Sequence, residues 1–396
     1  MVYVLLLLFV VPSAYGMWDV SSDMGKPKKP VGTLLLRDLS YLYGYNQAKK
    51  LGDVTDSQAL QQLHESNGRK ITKALDDAVA SGRSLPELRT HMIETYASKY
   101  VIDCYLSSYT HKRTLQNLSW YSSSAFSNLA FHPTTHSLYA SVGRAIHEID
   151  VQQDQKKRVL VNEQNICCMA FHPITGQLDV GSKNSISVWN VDEGTCVDTV
   201  KAQPLDALQS LAFGPSRAQG PTHRYIAAKT GIMTMDLANG NSEEFKGKAG
   251  AATSLAAHPT TGDMYGANKS GYLYNLSNNS RTADLKNYDS AKLPAVMAFH
   301  PRFHDYLFVA TGYNGKIVHV QDSTASIDYD WYNSGYACRD LAFHPTTHNL
   351  YVLKGGDLEE YAPKENYNQV AKRLTFSDWH NYEMGKSPSE SNCTIS

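Results

Sequence analysis

Six copies of one short segment recur along this 396-residue chain. They read Leu129-Ala130-Phe131-His132-Pro133, Met169-Ala170-Phe171-His172-Pro173, Leu211-Ala212-Phe213-Gly214-Pro215, Leu255-Ala256-Ala257-His258-Pro259, Met297-Ala298-Phe299-His300-Pro301 and Leu341-Ala342-Phe343-His344-Pro345. Successive prolines stand 40, 42, 44, 42 and 44 residues apart. So regular a period marks a chain assembled from one supersecondary unit. Each copy runs into a turn such as Thr134-Thr135-His136 or Thr260-Thr261-Gly262, then a short apolar strand such as Leu138-Tyr139-Ala140-Ser141 or Leu350-Tyr351-Val352-Leu353. A further strand follows a Gly- or Asn-containing turn (Ile186-Ser187-Val188-Trp189, Ile317-Val318-His319-Val320), and a weaker one precedes the next copy (Lys157-Arg158-Val159-Leu160-Val161). Each unit therefore reads as four short antiparallel strands joined by tight turns.

A lone four-stranded sheet exposes apolar faces and two edges, so it must stack on its neighbours. Radial stacking of twisted sheets closes into a ring that hides the faces of the first and last units together. The expected fold is all-β: a six-bladed β-propeller of four-stranded antiparallel blades, preceded by a small α-helical hairpin. The Leu-Ala-Phe-His-Pro strand, the most apolar and least variable, is expected innermost. The repeat resembles the WD40-like and NHL-like units of six-bladed propellers, most clearly at Ile186-Ser187-Val188-Trp189-Asn190-Val191. That resemblance covers residues 112–376 and implies the fold. The Gly-His pair and the final Trp-Asp are missing from nearly every copy, so it implies no subfamily. Two segments compete to supply the last outer strand: Lys112-Arg113-Thr114-Leu115-Gln116, which mirrors Lys157-Arg158-Val159-Leu160, and Val370-Ala371-Lys372-Arg373-Leu374.

Outside the ring, residues 1–16 read as a signal peptide. An apolar run over 2–11 ends at Pro12, and Ala14 and Gly16 fit a peptidase site, although no Lys or Arg precedes the run. The run is too short to span a bilayer, and no second stretch approaches spanning length. The expectation is a secreted, extracellular chain with no membrane span, a linker over 17–30, a helical region over 31–111 and a polar tail over 377–396. In the helical region Leu60, Leu63, Ile71, Leu75 and Ala78 recur at helical spacing, and Leu88, Met92, Tyr96, Tyr100 and Cys104 form an i, i+4 stripe. Ser84 with Glu87 reads as a capping box. An oxidising compartment makes Cys104, Cys167, Cys168, Cys196, Cys338 and Cys393 disulfide candidates, and Asn117, Asn268, Asn275, Asn278 and Asn392 glycosylation candidates.

The charge is balanced, with 37 basic and 38 acidic residues, which leaves no electrostatic footprint for nucleic acid. The recurring histidines suggest a titrating or metal-binding rim. A better account is that each imidazole satisfies backbone groups of its own turn, because symmetry holds the rings apart whereas a metal needs converging ligands. No nucleophile elbow, zinc helix, phosphate loop or dinucleotide fingerprint occurs. The segments leading into the inner strands carry aromatic, amide and Arg residues suited to recognition: Trp120, Tyr121, Asn165, Trp331, Tyr332, Tyr336 and Arg339. The leading expectation is a secreted binding module, without cofactor, that recognises an extracellular protein or glycan through this loop face. One alternative is a propeller hydrolase or lyase holding a metal such as calcium at the axis through Glu163, Asp206 and Asp340. Another is a structural role in an extracellular matrix or egg coat.

Overall fold

The computed structural model describes residues 98–374 and Asp378, apart from 116–126, 202–206, 217–219, 246–251, 269–270, 285–294, 312–313, 321–325, 334–336 and 356. The leader, the linker, the first expected helix, the Ser84 capping box and the tail apart from Asp378 lie outside these residues. The chain divides into two compact units, one holding residues 1–108 and 364–396, the other Tyr109–Pro363.

The larger unit is a ring of six four-stranded antiparallel blades. Blade one comprises β2 to β5 (Asn128–Phe131, Leu138–Val142, Ala145–Asp150, Gln155–Val161), and blade two β6 to β9 (Cys168–Phe171, Leu178–Gly181, Ser185–Asn190, Thr195–Lys201). Blade three comprises β10 to β13 (Leu208–Ser216, Gly220–Ala228, Ile232–Asp236, Ser242–Glu244), and blade four β14 to β17 (Ala252–Ala257, Met264–Asn268, Tyr272–Asn275, Ser280–Asp284). Blade five comprises β18 to β21 (Ala295–Phe299, Tyr306–Thr311, Asn314–His319, Ser326–Asn333). Blade six joins β22 to β24 (Cys338–Phe343, Leu350–Lys354, Asp357–Pro363) to β1 (Tyr109–Thr114). The Leu-Ala-Phe strands are innermost and touch in a closed cycle, β2, β6, β10, β14, β18, β22 and back to β2.

The register explains the repeat's composition. Opposite the recurrent Ala of the inner strand, the second strand places Tyr139, Tyr225, Tyr265, Phe308 and Tyr351. Ala leaves room for that ring, which leans on the following blade: Tyr139 clusters with Leu178, Tyr265 with Leu307, and Tyr351 with Leu138. The aliphatic partner is the residue opposite Phe in the inner strand of its own blade. Where a ring is present the seam is thus a layer of interlocking side chains, and burying each ring contributes about 1.5–3 kcal/mol.

The histidines form a second latch. Nδ1 of His132, His172, His258, His300 and His344 accepts the backbone N–H groups two and three residues on, at 3.0–3.3 Å. The expected role of the imidazole in its turn is therefore what the structure has. Each ring also meets, edge to face, the Phe of the next blade: His132 with Phe171, His172 with Phe213, His258 with Phe299, His300 with Phe343 and His344 with Phe131, at 4.9–5.2 Å between centroids. Such a pair contributes roughly 0.5–1.5 kcal/mol beyond its buried area. Only the seam between blades three and four lacks the pair, and there both halves are missing, Gly214 standing for His and Ala257 for Phe. A Cβ on Gly214 would run into the Tyr225 ring, which occupies that space instead.

β1 closes the ring. Arg113 Nε binds Glu360 at 2.5 Å just as Arg158 Nε binds Glu148 at 2.5 Å, while Leu115 and Leu160 are both buried. The Tyr109 hydroxyl donates to His348 O at 2.7 Å, and its ring lies edge-on to Phe308 and Phe343. The rival segment is helical. In the smaller unit α1 (Ser98–Ser107) buries Tyr100, Val101 and Cys104, and α2 (Tyr367–Arg373) opens on a capping box between Asn366 and Gln369, both bonds 2.9 Å. Residues 370–374 thus do not extend the sheet, because the cap at Asn366 starts a helix just before them.

Burial, above all, holds His132, His172, His300 and His344 below the ordinary imidazole value. Protonation would also turn Nδ1 into a donor facing two N–H groups. Their contribution to stability is therefore complete above about pH 6.5, the unfolded value, and is lost as pH falls towards the folded values. Asp340, pushed up to about 7 by burial, acts in the opposite sense, its contribution fading as pH rises through that value. Burial lowers His147 and His348 as well, and raises Asp179, so six imidazoles against two carboxyls give the net sign. The urea midpoint of the full chain is expected to fall between about pH 7 and pH 5, and a midpoint that stays level or rises would contradict this account.

Candidate functional site

The N-terminal ends of the inner strands form one rim of the ring. In blades three, four and six the ladder shifts at Gln209, Thr253 and Arg339, each an extra residue in its strand. In blades one and two, Ser127 N and Cys167 N bond the carbonyls of Ser141 and Gly181, the partners of the next residues Asn128 and Cys168. Five blades therefore carry a bulge at one place, and bulges re-aim side chains beside functional sites. Blade five is regular there, with Ala295 and Val296 both in register.

The structure separates the expected site residues. Arg339 is exposed on its bulge. Asn165 and Glu163 are exposed in the loop before β6, which buried Asn162 pins through bonds to Gln164 O at 3.0 Å and Ser182 Oγ at 3.1 Å. Trp331 and Tyr332 belong to β21, the outer strand of blade five, where Tyr332 pairs with Gly315, and not to a loop leading into blade six. Trp120, Tyr121, Tyr336 and Asp206 lie outside the described residues. Asp340 ties blade six to blade one: Oδ2 accepts Leu129 N at 2.7 Å and Oδ1 accepts Leu341 N at 2.9 Å. Ser210 Oγ makes the matching bond to Leu255 N at 3.0 Å between blades three and four. Among the described residues no three His, Cys, Asp or Glu side chains converge as a metal site would require.

The modification candidates also part. Cys167, Cys168, Cys196 and Cys338 are free thiols in the structure. They sit on separate strands or, at 167 and 168, on neighbouring residues of one extended segment whose side chains diverge. Cys104 is buried in α1, and Cys393 lies outside the described residues. Asn275 is buried, with Nδ2 on the Tyr265 hydroxyl at 3.3 Å and Oδ1 accepting Ser277 N at 2.9 Å, so it offers no amide for a glycan. Asn278 is exposed in the turn before β17, whereas Asn268 sits half-buried at the end of β15. Asn117 and Asn392 lie outside the described residues.

Another concave feature lies at the opposite ends of the strands, between blades two and three. It is a cleft of about 450 Å³. On its floor Asp179 pairs with Arg224 Nε, and both residues are buried, 1% and 7% exposed. Each breaks the repeat. Asp179 stands opposite Ala170, where the other five blades place an aromatic ring. Arg224 stands opposite Phe213, where Leu138, Leu178, Leu307 and Leu350 stand opposite their own Phe. One seam has thus exchanged a ring on an aliphatic side chain for a carboxylate on a guanidinium, and the absent ring leaves the cleft. Sequence reading passed over both residues. The available signal was Leu178-Asp179-Val180 beside Leu138-Tyr139-Ala140, but nothing linear couples position 179 to position 224.

No family model matches this chain, and no curated protein matches it. The site must be judged on its own chemistry. Desolvation raises the Asp179 pKa and Arg224 opposes the rise, so the carboxylate depends on its partner. Arg224→Leu alone is expected to cost about 3 kcal/mol in urea unfolding, because it strands a buried acid. Adding Asp179→Tyr, which restores the seam used elsewhere in the ring, is expected to recover at least wild-type stability. A double variant no more stable than the single one would contradict this reading.

Proposed function

We propose that this chain is a secreted, glycosylated binding module built on repeats of the WD40-like kind, which recognises an extracellular protein or glycan through the loop face near blades six and one. One observation carries the reading. Among the described residues, the turn imidazoles are committed to the frame through Nδ1, and Asp340 through both oxygens. Side chains suited to recognition, Arg339 and Asn165 among them, remain exposed on the rim. The commitment of Asp340 also weighs against an axial metal held by Glu163, Asp206 and Asp340. A rigid ring with adaptable rim side chains keeps the ordering cost of binding low.

The test is expression of the full chain in a secretory host. The medium is expected to contain protein beginning at Met17, with a glycan shift that Asn278→Gln reduces and Asn275→Gln does not. Screening that protein on glycan and extracellular-protein arrays is expected to return a partner whose affinity drops at least about tenfold in Arg339→Ala, at unchanged Tm. Retention inside the cell with the leader intact, or stoichiometric calcium or zinc in elemental analysis, would overturn the proposal.

A further inference from the structure

We propose that the cleft between blades two and three is a binding site for a neutral saccharide unit. It lies on the turn face, at the far ends of the strands from the rim discussed above, so it stands or falls independently of that reading. The fold does not need the Asp179–Arg224 pair, since five seams close with a ring against an aliphatic residue or its equivalent. Two adjacent blades depart from the repeat at the two positions that meet, and what they build faces a cavity.

The hydrogen-bond inventory selects the ligand. A guanidinium carries five N–H donors. Arg224 uses Nε on Asp179 and one Nη1 hydrogen on Met235 Sδ at 3.4 Å. Its remaining donors, and Oδ1 of Asp179, have no hydrogen-bond partner among the described residues. The cleft floor therefore presents uncommitted donors beside an uncommitted acceptor on two buried side chains. His172 adds a donor: its Nδ1 accepts backbone N–H groups, which leaves the proton on Nε2.

Charge then eliminates the ionic ligands. An anion entering the cleft meets three carboxylates, Asp179, Asp198 and Asp236, against a single guanidinium. A cation meets the Arg224 guanidinium and competes with it for Asp179. A hydroxyl both donates and accepts, so adjacent hydroxyls of a sugar satisfy Arg224 and Asp179 together without disturbing the pair. The walls, Val188, Val197, Val200, Met235 and Leu237, are aliphatic and suit the C–H faces of a pyranose ring. The volume falls in the range of sites for small molecules.

Saturation-transfer NMR and calorimetry on the purified, deglycosylated full chain test this, with methyl glycosides of glucose, galactose, mannose and N-acetylglucosamine as probes, and glucuronate and glucosamine as charged comparators. At least one neutral glycoside is expected to bind, at least about tenfold more tightly than either charged comparator. The double variant Asp179→Tyr with Arg224→Leu is expected to lose that binding by about tenfold or more at a Tm no lower than wild type. Val197→Trp, which fills the cleft and leaves the ion pair in place, is expected to lose it as well. Silence from every neutral probe, equal or tighter binding of a charged comparator, or retained affinity in either variant would overturn the proposal.

Discussion

An imidazole that accepts two backbone N–H groups of its own turn and presents its edge or face to the phenyl ring of the next blade is the contact on which this ring depends. The first half of the interaction is local and sets the angle at which the chain leaves the inner strand. The second half is long-range and sets the distance between neighbouring sheets. Because one side chain does both, the geometry of the turn is tied to the packing of the seam in five of the six blades, and near-identical units can share one closed arrangement. The small Ala between the recurring Leu and Phe serves the same end by making room for a ring from the second strand.

Departures from the repeat come in matched pairs. Gly214 and Ala257 are the two halves of one missing His–Phe contact, and Tyr225 fills the space they leave. Asp179 and Arg224 are the two halves of one altered ring–aliphatic contact, and the space there is the cleft. The first pair is an exchange within the core. The second introduces a buried ion pair, an arrangement that apolar residues of similar volume often equal or surpass in stability. A costly substitution at two places that meet, beside a cavity, is what separates a site from a variation in packing.

Much of the architecture could be read along the chain, because blade identity depends on local pattern. The period, the turn residues and the alternation in strands such as Leu138-Tyr139-Ala140-Ser141 depend only on neighbours in sequence, and so does the role of His132 in its turn. The closing strand was half legible: Arg113 and Leu115 mirror Arg158 and Leu160, but the helix cap at Asn366, which removes the rival segment, was overlooked. Tyr332 read as a loop residue because the outer strand it belongs to lacks the apolar periodicity of the inner ones. Asp340 read as a free carboxylate because its partner, Leu129 N, lies 211 residues away.

By itself the sequence determined the unit, its copy number and the necessity of closing on itself, since a recurrent amphipathic sheet has only its own copies to pack against. Tertiary structure alone decided which residues of neighbouring copies face each other across a seam. That choice turned Asp340 into a tie between blades and brought Asp179 and Arg224 together on the floor of a cleft. The reason is physical: hydrogen bonding within a turn or hairpin acts over a few residues and leaves its trace in local order. The register between stacked sheets is set by shape and charge meeting between residues about one repeat or more apart, and it becomes visible only when the ring is closed.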